Sequence, residues 1–366
     1  MNGSDFPISN DDLTPDHLTA VLRRSGHLGA ASVVRVAAET IGAGVGVVGQ
    51  LAKLTLTYDQ PDVDLPSTMI AKFASPYPDN KDIAQFYGFY RTEAECYSTA
   101  QRGGLGVTTP MVYSAQVSDD DRDTLLLIED LTHLRMADQV AGATLAEAEV
   151  AMDAAADLHA RWWQHPDLDQ LSWLRPINNP AYKAGEQQYA QVWPFFVQKF
   201  GDVVAAGSLP IAERHGGQIA AMYDRIIDTG PLTLSHADYR LDNLLFDDAA
   251  QRVVVIDWQL SVRGSGAADV SYLLVQSMTI EARREHGEAL VRRWFDRLVA
   301  HGVTGYSWND AFTDFRRGVL LQLPIGVVGT TAMEAANDRG RALQLAMATR
   351  NMQALVDYDC AELHLD

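Results

Sequence analysis

The feature that most restricts the fold of this chain is a glycine-rich loop followed at once by a strand. Residues 41–50 read IGAGVGVVGQ, in which Gly44, Gly46 and Gly49 form a GxGxxG pattern. A dinucleotide-binding Rossmann unit requires a helix directly after such glycines. Residues 51–58 instead alternate apolar and polar side chains, which predicts a β-strand. Glycines between two strands are typical of a flap over nucleotide phosphates, although a plain hairpin turn would have the same pattern.

Composition and charge restrict the possible class of protein. The 366 residues suffice for two lobes, and 47% apolar with 21% charged residues is the normal globular range. A net charge of −19 argues against a nucleic-acid partner. Two distant cysteines, Cys96 and Cys360, exclude a disulfide framework. The chain starts without a signal-peptide pattern and has no long apolar stretch, so we expect a cytoplasmic protein without a membrane partner.

The periodicity along the chain predicts an α+β protein. Strand patterns dominate from about 33 to 75 and return at 123–131, with a helical pattern at 82–101 between them. From about 144 onward the patterns are mostly helical, and one β-rich stretch at 232–262 interrupts them. The sequence therefore predicts a sheet-rich N-terminal part and a mostly helical C-terminal part.

The strongest chemical signal is the segment 234–259, LSHADYRLDNLLFDDAAQRVVVIDWQ. It carries Asp238, then Asn243 five residues later, then Asp257 after the apolar run VVVI. Phosphoryl transfer needs a carboxylate to orient an attacking hydroxyl and hard oxygen ligands for Mg²⁺. Asp and Asn also favour turns, so each of these residues alone would more often be structural. The three together at this spacing favour the catalytic interpretation.

This segment resembles the catalytic and metal-binding loops of the aminoglycoside phosphotransferase/choline kinase-like superfamily. The wording DYRLDNLLF and VIDWQLS is also similar to the ecdysteroid kinase-like and acyl-CoA-dehydrogenase-associated kinase-like branches. The resemblance implies a bilobal protein-kinase-like fold with a small antiparallel-sheet N-lobe and a larger helical C-lobe. The N-lobe would span 1–131 with a hinge at about 128–132. The C-lobe would span 132–366 and contain the acceptor pocket.

The resemblance also implies a set of nucleotide-binding residues upstream. MIAKF supplies Lys72 for the third strand, and FYRTEAECY supplies Glu93 to pair with it, with Glu95 as the alternative. LLLIEDL matches the hinge, so main-chain groups of Glu129 and Leu131 would bind the adenine edge.

Further matches lie around the catalytic loop. AADLHARWW supplies Leu158 and His159, and GSGAADVSYLL supplies Asp269. Ala237 stands where many relatives have glycine. We expect His236 to be an architectural residue. Arg240 could contact phosphate or acceptor, or pair with Asp242, and the sequence does not choose between these roles.

The roles that follow are those of a small-molecule kinase using ATP, or GTP, with Mg²⁺. Asp238 would be the base, Asn243 and Asp257 the metal ligands, and Lys72 the phosphate-binding cation. No long activation segment follows Asp257, which argues against a protein kinase. The partner would be a small hydroxylated molecule: an aminoglycoside, an amino alcohol, a sterol or a hydroxyacyl compound. The aromatic stretch at 182–196 could line its pocket, although core packing is the more common role.

Two alternatives of other classes remain at this stage. One is a catalytically silent nucleotide-binding scaffold, against which the complete set of site residues argues. The other is a dinucleotide-dependent oxidoreductase, which the glycines alone support.

Overall fold

The computed structural model describes residues 6–41, 48–60, 65–332, 338–363 and 365. It divides into two compact units. Unit 1 comprises Met1–Leu134 and Ile256–Leu260, and unit 2 comprises Arg135–Val255 and Ser261–Asp366. The short segment Ile256–Leu260, which the sequence analysis assigned to the C-terminal lobe, thus clusters with unit 1.

Unit 1 is built on a five-stranded antiparallel sheet in the order β1-β2-β3-β5-β4. Its helices and strands are α1 (Pro15–Arg24), β1 (Val33–Ile41), β2 (Gly49–Tyr58), β3 (Thr68–Ala74), α2 (Pro78–Tyr87), α3 (Phe89–Gln101), β4 (Val112–Val117) and β5 (Thr124–Glu129).

Helix α1 begins where its sequence predicts. The Thr14 side chain accepts a hydrogen bond from the His17 amide, and Pro15 occupies the first helical position. Its buried residues Leu18 and Leu22 pack on one face of the sheet with alternate residues of the central strands, namely Ala52, Leu54, Leu56, Met69, Ala71, Phe73, Leu125 and Leu127. The opposite face of the sheet carries the residues between them.

The predicted helix at 82–101 is wrong in its extent. Two helices, α2 and α3, occupy this stretch, and the first begins already at Pro78. Gly88 separates them with a backbone φ of 78°, a left-handed conformation that favours glycine and ends a helix. The break lets α3 place its own buried face against β4 and the segment Trp258–Leu260.

Unit 2 is mostly helical, with two small antiparallel sheets in the orders β6-β8-β9 and β10-β7. Its elements are β6 (Arg135–Met136), α4 (Leu145–Trp162), α5 (Pro180–Lys183), α6 (Gly185–Phe200), α7 (Ser208–Gly216), α8 (Ile219–Thr229), β7 (Thr233–Ser235), β8 (Leu244–Asp247), β9 (Arg252–Val255), β10 (Val262–Gly264), α9 (Gly266–Ser277), α10 (Ile280–Ala300), α11 (Trp308–Leu321), α12 (Thr330–Ala332) and α13 (Asp338–Asp357). No helix in the described ranges is long and apolar enough to cross a membrane.

The core of unit 2 forms around α9, which is buried along almost its whole length. Helices α4, α10, α11 and α13 all contact it. Helix α4 starts with a reciprocal cap, in which Thr144 accepts from the Glu147 amide and the Glu147 carboxylate accepts from the Thr144 amide. Helices α4 and α9 also contact β7.

Candidate active site

One group of candidate site residues lies in unit 1 and centres on Lys72 of β3. Its ammonium donates to the Glu93 carboxylate on α3 at 2.7 Å. Glu93 is 1% exposed, so this ion pair is buried on one side. The alternative partner, Glu95, lies near Arg91 instead, at 3.8 Å. The structure therefore brings Lys72 together with Glu93.

Asp257 completes a triad around the same lysine. Its carboxylate lies 3.0 Å from Lys72 Nζ, and its backbone adopts a φ of 63°, which Asp tolerates better than most residues. The Asp257 amide donates to the hydroxyl of Tyr97, a buried residue one helical turn after Glu93. Two residues of α3 thus fix the lysine and the aspartate together.

The electrostatics of the triad follow from one cation shared by two carboxylates. Burial alone would lower the pKa of Lys72, but the charges of Asp257 and Glu93 outweigh it and hold that pKa above its usual value. Burial raises the pKa of Glu93 to about 7, against the opposing charge of Lys72 and with help from the charge of Asp257. Lys72 therefore stays charged, and Glu93 is the weak acid of the group.

The glycine loop can be described only at its end. Gly44 and Gly46 lie outside the described residues. Gly49, the first residue of β2, lies against Lys72: a Cβ atom there would come within 3.3 Å of Lys72 Cε and 3.1 Å of the Phe73 carbonyl oxygen. The backbone after the loop thus passes close to the lysine side chain, which a larger residue would displace.

The hinge residues lie at the end of β5. The Glu129 amide donates to the Met111 carbonyl, and the Glu129 carboxylate accepts from the Met111 amide. The Leu131 carbonyl accepts from the Leu134 amide at 2.9 Å. The side chain of the intervening Asp130 is held from within unit 1 by Lys53.

Another group of candidate site residues lies in unit 2, in the loop between β7 and β8. Asp238 is 7% exposed. Its Oδ1 accepts from Arg240 Nε at 3.1 Å, and its Oδ2 accepts from the side-chain nitrogen of Asn243 at 2.8 Å. Arg240 also pairs with Asp242 at 2.5 Å, so it contacts both carboxylates. The buried hydroxyl of Tyr272 on α9 donates to Asp238 as well.

A second aspartate, Asp269 on α9, holds the backbone of this loop. It is completely buried and accepts from the His236 amide at 2.7 Å, the Ala237 amide at 2.8 Å and the Ser235 hydroxyl at 2.9 Å. Burial would raise the pKa of Asp269, but the hydrogen bond from His159, together with that from the His236 amide, outweighs it and keeps that pKa below its usual value. Asp269 is therefore an anion that anchors the loop.

His159 connects Asp269 to α10. Its Nε2 lies 3.0 Å from the Asp269 carboxylate, and its Nδ1 accepts from the Trp294 indole at 3.0 Å. These bonds define the neutral tautomer with the proton on Nε2. Sequence reasoning noted His159 and Asp269 as matching segments but missed the contact between them, and it missed Trp294 and Tyr272 altogether. No periodicity could reveal a pairing across 135 residues.

The donor set in this loop suits a hard divalent cation. Because the Asn243 side-chain nitrogen donates to the main-chain and side-chain oxygens of Asp238, its carbonyl oxygen is the atom presented to a ligand. Within the described ranges, no group of three or more His, Cys, Asp or Glu residues could hold a metal. Mg²⁺ commonly binds through one or two protein oxygens and completes its shell with phosphates and water.

The aromatic residues of α6 form a stack. The rings of Tyr189, Trp193 and Phe196 follow each other at 5.6 and 5.7 Å, nearly parallel, and Tyr189 and Phe196 are buried. Phe195, on another side of the helix, is 61% exposed. The stack therefore contributes to the core of unit 2.

Solved structures of small-molecule kinases share this fold. The choline kinase of Cryptosporidium parvum superposes with a TM-score of 0.54 at 10% identity, covering 96% of this chain and 98% of that one. The ethanolamine kinase of Plasmodium vivax superposes with a TM-score of 0.51 at 10% identity, covering 93% of this chain and 89% of that one. A variant of aminoglycoside 2'-phosphotransferase IIIa in its GDP complex superposes with a TM-score of 0.51 at 12% identity. The match covers 96% of this chain and 99% of that one.

No curated protein sequence matches the chain. The sequence model of the ecdysteroid kinase-like family does match, over residues 44–303, which is well over half of the chain. The matched range includes the candidate site residues of unit 1 and those of unit 2. The chain belongs to the ecdysteroid kinase-like family and is a small-molecule kinase with the protein-kinase-like fold.

Proposed function

We propose that the protein transfers the γ-phosphate of ATP, or of GTP, to a hydroxyl group of a small molecule. The observation that carries this proposal is the triad in unit 1, where Lys72 lies 2.7 Å from Glu93 and 3.0 Å from Asp257. A buried lysine held charged by two carboxylates is suited to binding nucleotide phosphates, because the phosphates can replace part of that negative charge.

The nucleotide would be bound by three parts of unit 1. Gly44, Gly46 and Gly49 would cover the phosphates, and Lys72, oriented by Glu93, would neutralise them. The carbonyl of Glu129 and the amide of Leu131 would bind the edge of the purine base. The family of the chain supports nucleotide use, and a structural neighbour was solved with GDP bound.

Asp238 would act on the acceptor. A carboxylate that accepts a hydrogen bond from the attacking hydroxyl orients it and takes its proton as the new phosphate ester bond forms. Asp238 is held by Arg240 and Asn243, so its carboxylate has a defined orientation before any acceptor binds. That preorganisation is what transfer in a single step requires.

Asn243 and Asp257 would hold Mg²⁺ through the Asn243 carbonyl oxygen and the Asp257 carboxylate. Mg²⁺ bound with the nucleotide supplies charge neutralisation at the phosphate oxygens. Lys72 would keep the Asp257 carboxylate oriented between turnovers, since the two already form an ion pair.

The acceptor would be a small alcohol. Structural neighbours include kinases of choline and of ethanolamine and a phosphotransferase of aminoglycosides. The family adds sterol-like alcohols, and the similarity of the catalytic segment to acyl-CoA-dehydrogenase-associated kinases adds hydroxyacyl compounds. These four classes form the set of acceptors to be tried.

Two experiments test the proposal. Mg·ATP or Mg·GTP should raise the melting temperature of the protein, because a ligand that binds the native state stabilises it, and NAD should not. Stabilisation by NAD alone would overturn the proposal. A screen for transfer of radiolabelled γ-phosphate to aminoglycosides, amino alcohols, sterols and hydroxyacyl thioesters would then identify the acceptor class. Nucleotide binding without transfer to any of them would favour a silent scaffold.

A further inference from the structure

Lys53 lies on the face of the unit 1 sheet that carries Lys72. Along β2, Ala52 and Leu54 point into the core under α1, so the residues between them point to the opposite face. Leu51 stands directly opposite Lys72 in the register of β2 and β3, and Lys53 is the next residue of β2 on that face. A strand residue with this pattern would be expected simply to extend into solvent.

Lys53 instead reaches the hinge. Its ammonium lies 2.8 Å from the Asp130 carboxylate and donates to the Thr132 hydroxyl at 3.2 Å. Asp130 also accepts from the amide and the hydroxyl of Thr132, at 3.0 and 2.7 Å, and from the side chain of Thr68. The carboxylate thus collects donors from β2, from β3 and from its own turn.

The charges of this cluster are well sheltered from water. The Asp130 side chain is only 5% exposed, against 32% for Lys53. Burial would raise the pKa of Asp130, but the hydrogen bonds from Lys53, Thr132 and Thr68 outweigh it and hold that pKa far below its usual value. The half-buried Asp130 is therefore an anion with a largely covered side chain, and its only close cation among the described residues is Lys53.

Asp130 stands between Glu129 and Leu131, whose main-chain groups are proposed above to bind the base. On the β4 side this segment is fixed by the two hydrogen bonds between Glu129 and Met111. On the β2 side it is fixed by the Lys53 cluster. The segment is therefore held on both sides before any ligand binds, which lowers the ordering cost of binding.

We propose that Lys53 is a positioning residue for the purine base: by holding Asp130, it fixes the base-binding segment Glu129–Leu131 and so sets nucleotide affinity. This inference rests on the nucleotide-binding role proposed above. If Lys53 is removed, Asp130 is left as a buried carboxylate without its cation, and such a group must turn toward water. Because its side chain is short, that turn moves the backbone on either side of it.

The experiment compares a ligand that has a base with one that lacks it. Dissociation constants are measured by calorimetry for Mg·ATP, Mg·GTP and Mg·tripolyphosphate, with wild type and Lys53→Met. Of the two nucleotides, we consider the one that wild type binds more tightly. We expect Lys53→Met to bind it about tenfold more weakly than wild type does, while the dissociation constant of tripolyphosphate changes less than about twofold. A purely structural role would weaken both kinds of ligand alike.

Four further variants complete the test. Lys53→Arg can still pair with Asp130 and should retain most of the affinity. Asp130→Asn should weaken nucleotide binding like Lys53→Met, and the double variant should add little, because both changes break one interaction. Lys81→Met is the matched control, since it removes a Lys–Asp ion pair with Asp123 in the same unit. It should leave all three constants unchanged.

The outcomes separate this inference from the proposed function. If wild type binds neither nucleotide, the proposed function fails and the inference with it. If wild type binds a nucleotide but Lys53→Met binds it equally well, or loses tripolyphosphate in the same proportion, the inference alone is wrong. If Lys53→Met does not fold, Lys53→Arg and Asp130→Asn test the inference instead. The comparison is again between the loss of nucleotide affinity and the loss of tripolyphosphate affinity.

Discussion

The buried carboxylate of Asp269 accepts a hydrogen bond from His159 at 3.0 Å while it holds the backbone amides of His236 and Ala237. One anion on α9 thus connects helix α4 with the loop that carries Asp238. Ala237 in this loop adopts a φ of 63°, a left-handed conformation that favours glycine, so contacts from outside must hold its backbone there. Asp269 supplies such contacts on both sides of the Ala237 peptide, so its removal should destabilise the loop.

Asp269→Asn should destabilise unit 2 by about 2–4 kcal/mol, because the amide places an NH₂ group among donors that need an acceptor. Urea unfolding measures the loss. The difference in the free energy of unfolding between Asp269→Asn and wild type should become smaller in acid. The stability that a carboxyl with a depressed pKa contributes is lost as the pH falls through that pKa. Ser235→Ala removes only one neutral donor and should cost about 1 kcal/mol. Equal losses for the two variants would contradict the anchoring role.

Gly266→Ala tests the packing beneath the same anchor. A Cβ atom at Gly266 would lie 2.7 Å from Cγ and 2.8 Å from Nδ1 of the completely buried His159 ring. The ring cannot yield without lengthening its bonds to Asp269 or Trp294, so we expect a loss of about 1–3 kcal/mol. Gly185→Ala is the control, because nothing lies within 4 Å of its Cβ position, and it should be neutral or stabilising by up to about 1 kcal/mol. Indistinguishable unfolding midpoints would show that the ring has room to move.

Much of the fold could be predicted because its signals are local. The alternation of residues 51–58 predicts β2, and Thr14 with Pro15 predicts the start of α1. Gly88 illustrates the limit of such signals, since a glycine inside a helical pattern can be tolerated or can end the helix. Here packing decides, and the glycine takes the left-handed conformation that separates α2 from α3.

The same distinction between local and distant signals applies to the candidate site residues. The sequence shows the order of the candidate site residues, because family resemblance preserves order along the chain. These residues are Lys72, Glu93, Asp238, Asn243 and Asp257. Contacts between distant side chains are not readable in this way. Lys53 looks like an ordinary solvent-facing strand residue until the register places it opposite Ile70 and its ammonium reaches Asp130.

Glu93→Gln should change how stability depends on pH. The pKa of Glu93 is raised from 4.5 to about 7, so between these values the native protein keeps a proton that the unfolded chain has released. The contribution of Glu93 to the free energy of unfolding of wild type therefore decreases as the pH rises through that window. Glutamine does not titrate, so the melting temperature of the variant relative to wild type should rise from pH 4.5 to about 7 and then level off.

The matched control for that prediction is Glu95→Gln, on the same helix. Glu95 lies 3.8 Å from Arg91 and Glu95→Gln leaves Glu93 in place, so this variant should not reproduce the rise expected for Glu93→Gln. Melting curves recorded by fluorescence between pH 4.5 and 8 compare the two variants directly. Parallel curves for wild type and Glu93→Gln would show that Glu93 titrates like an exposed carboxyl.

Asp238→Ala should separate transfer from nucleotide binding. If Asp238 orients and deprotonates the acceptor, kcat should fall by about 10³-fold or more, while the dissociation constant of Mg·ATP changes less than about threefold. The matched control is Asp242→Ala on the same loop, because Asp242 shares Arg240 with Asp238 but has no proposed chemical role. It should lose less than about tenfold in kcat. Near-normal turnover of Asp238→Ala would remove this aspartate from its role, and a matching loss of Mg·ATP binding would mean that it serves the nucleotide.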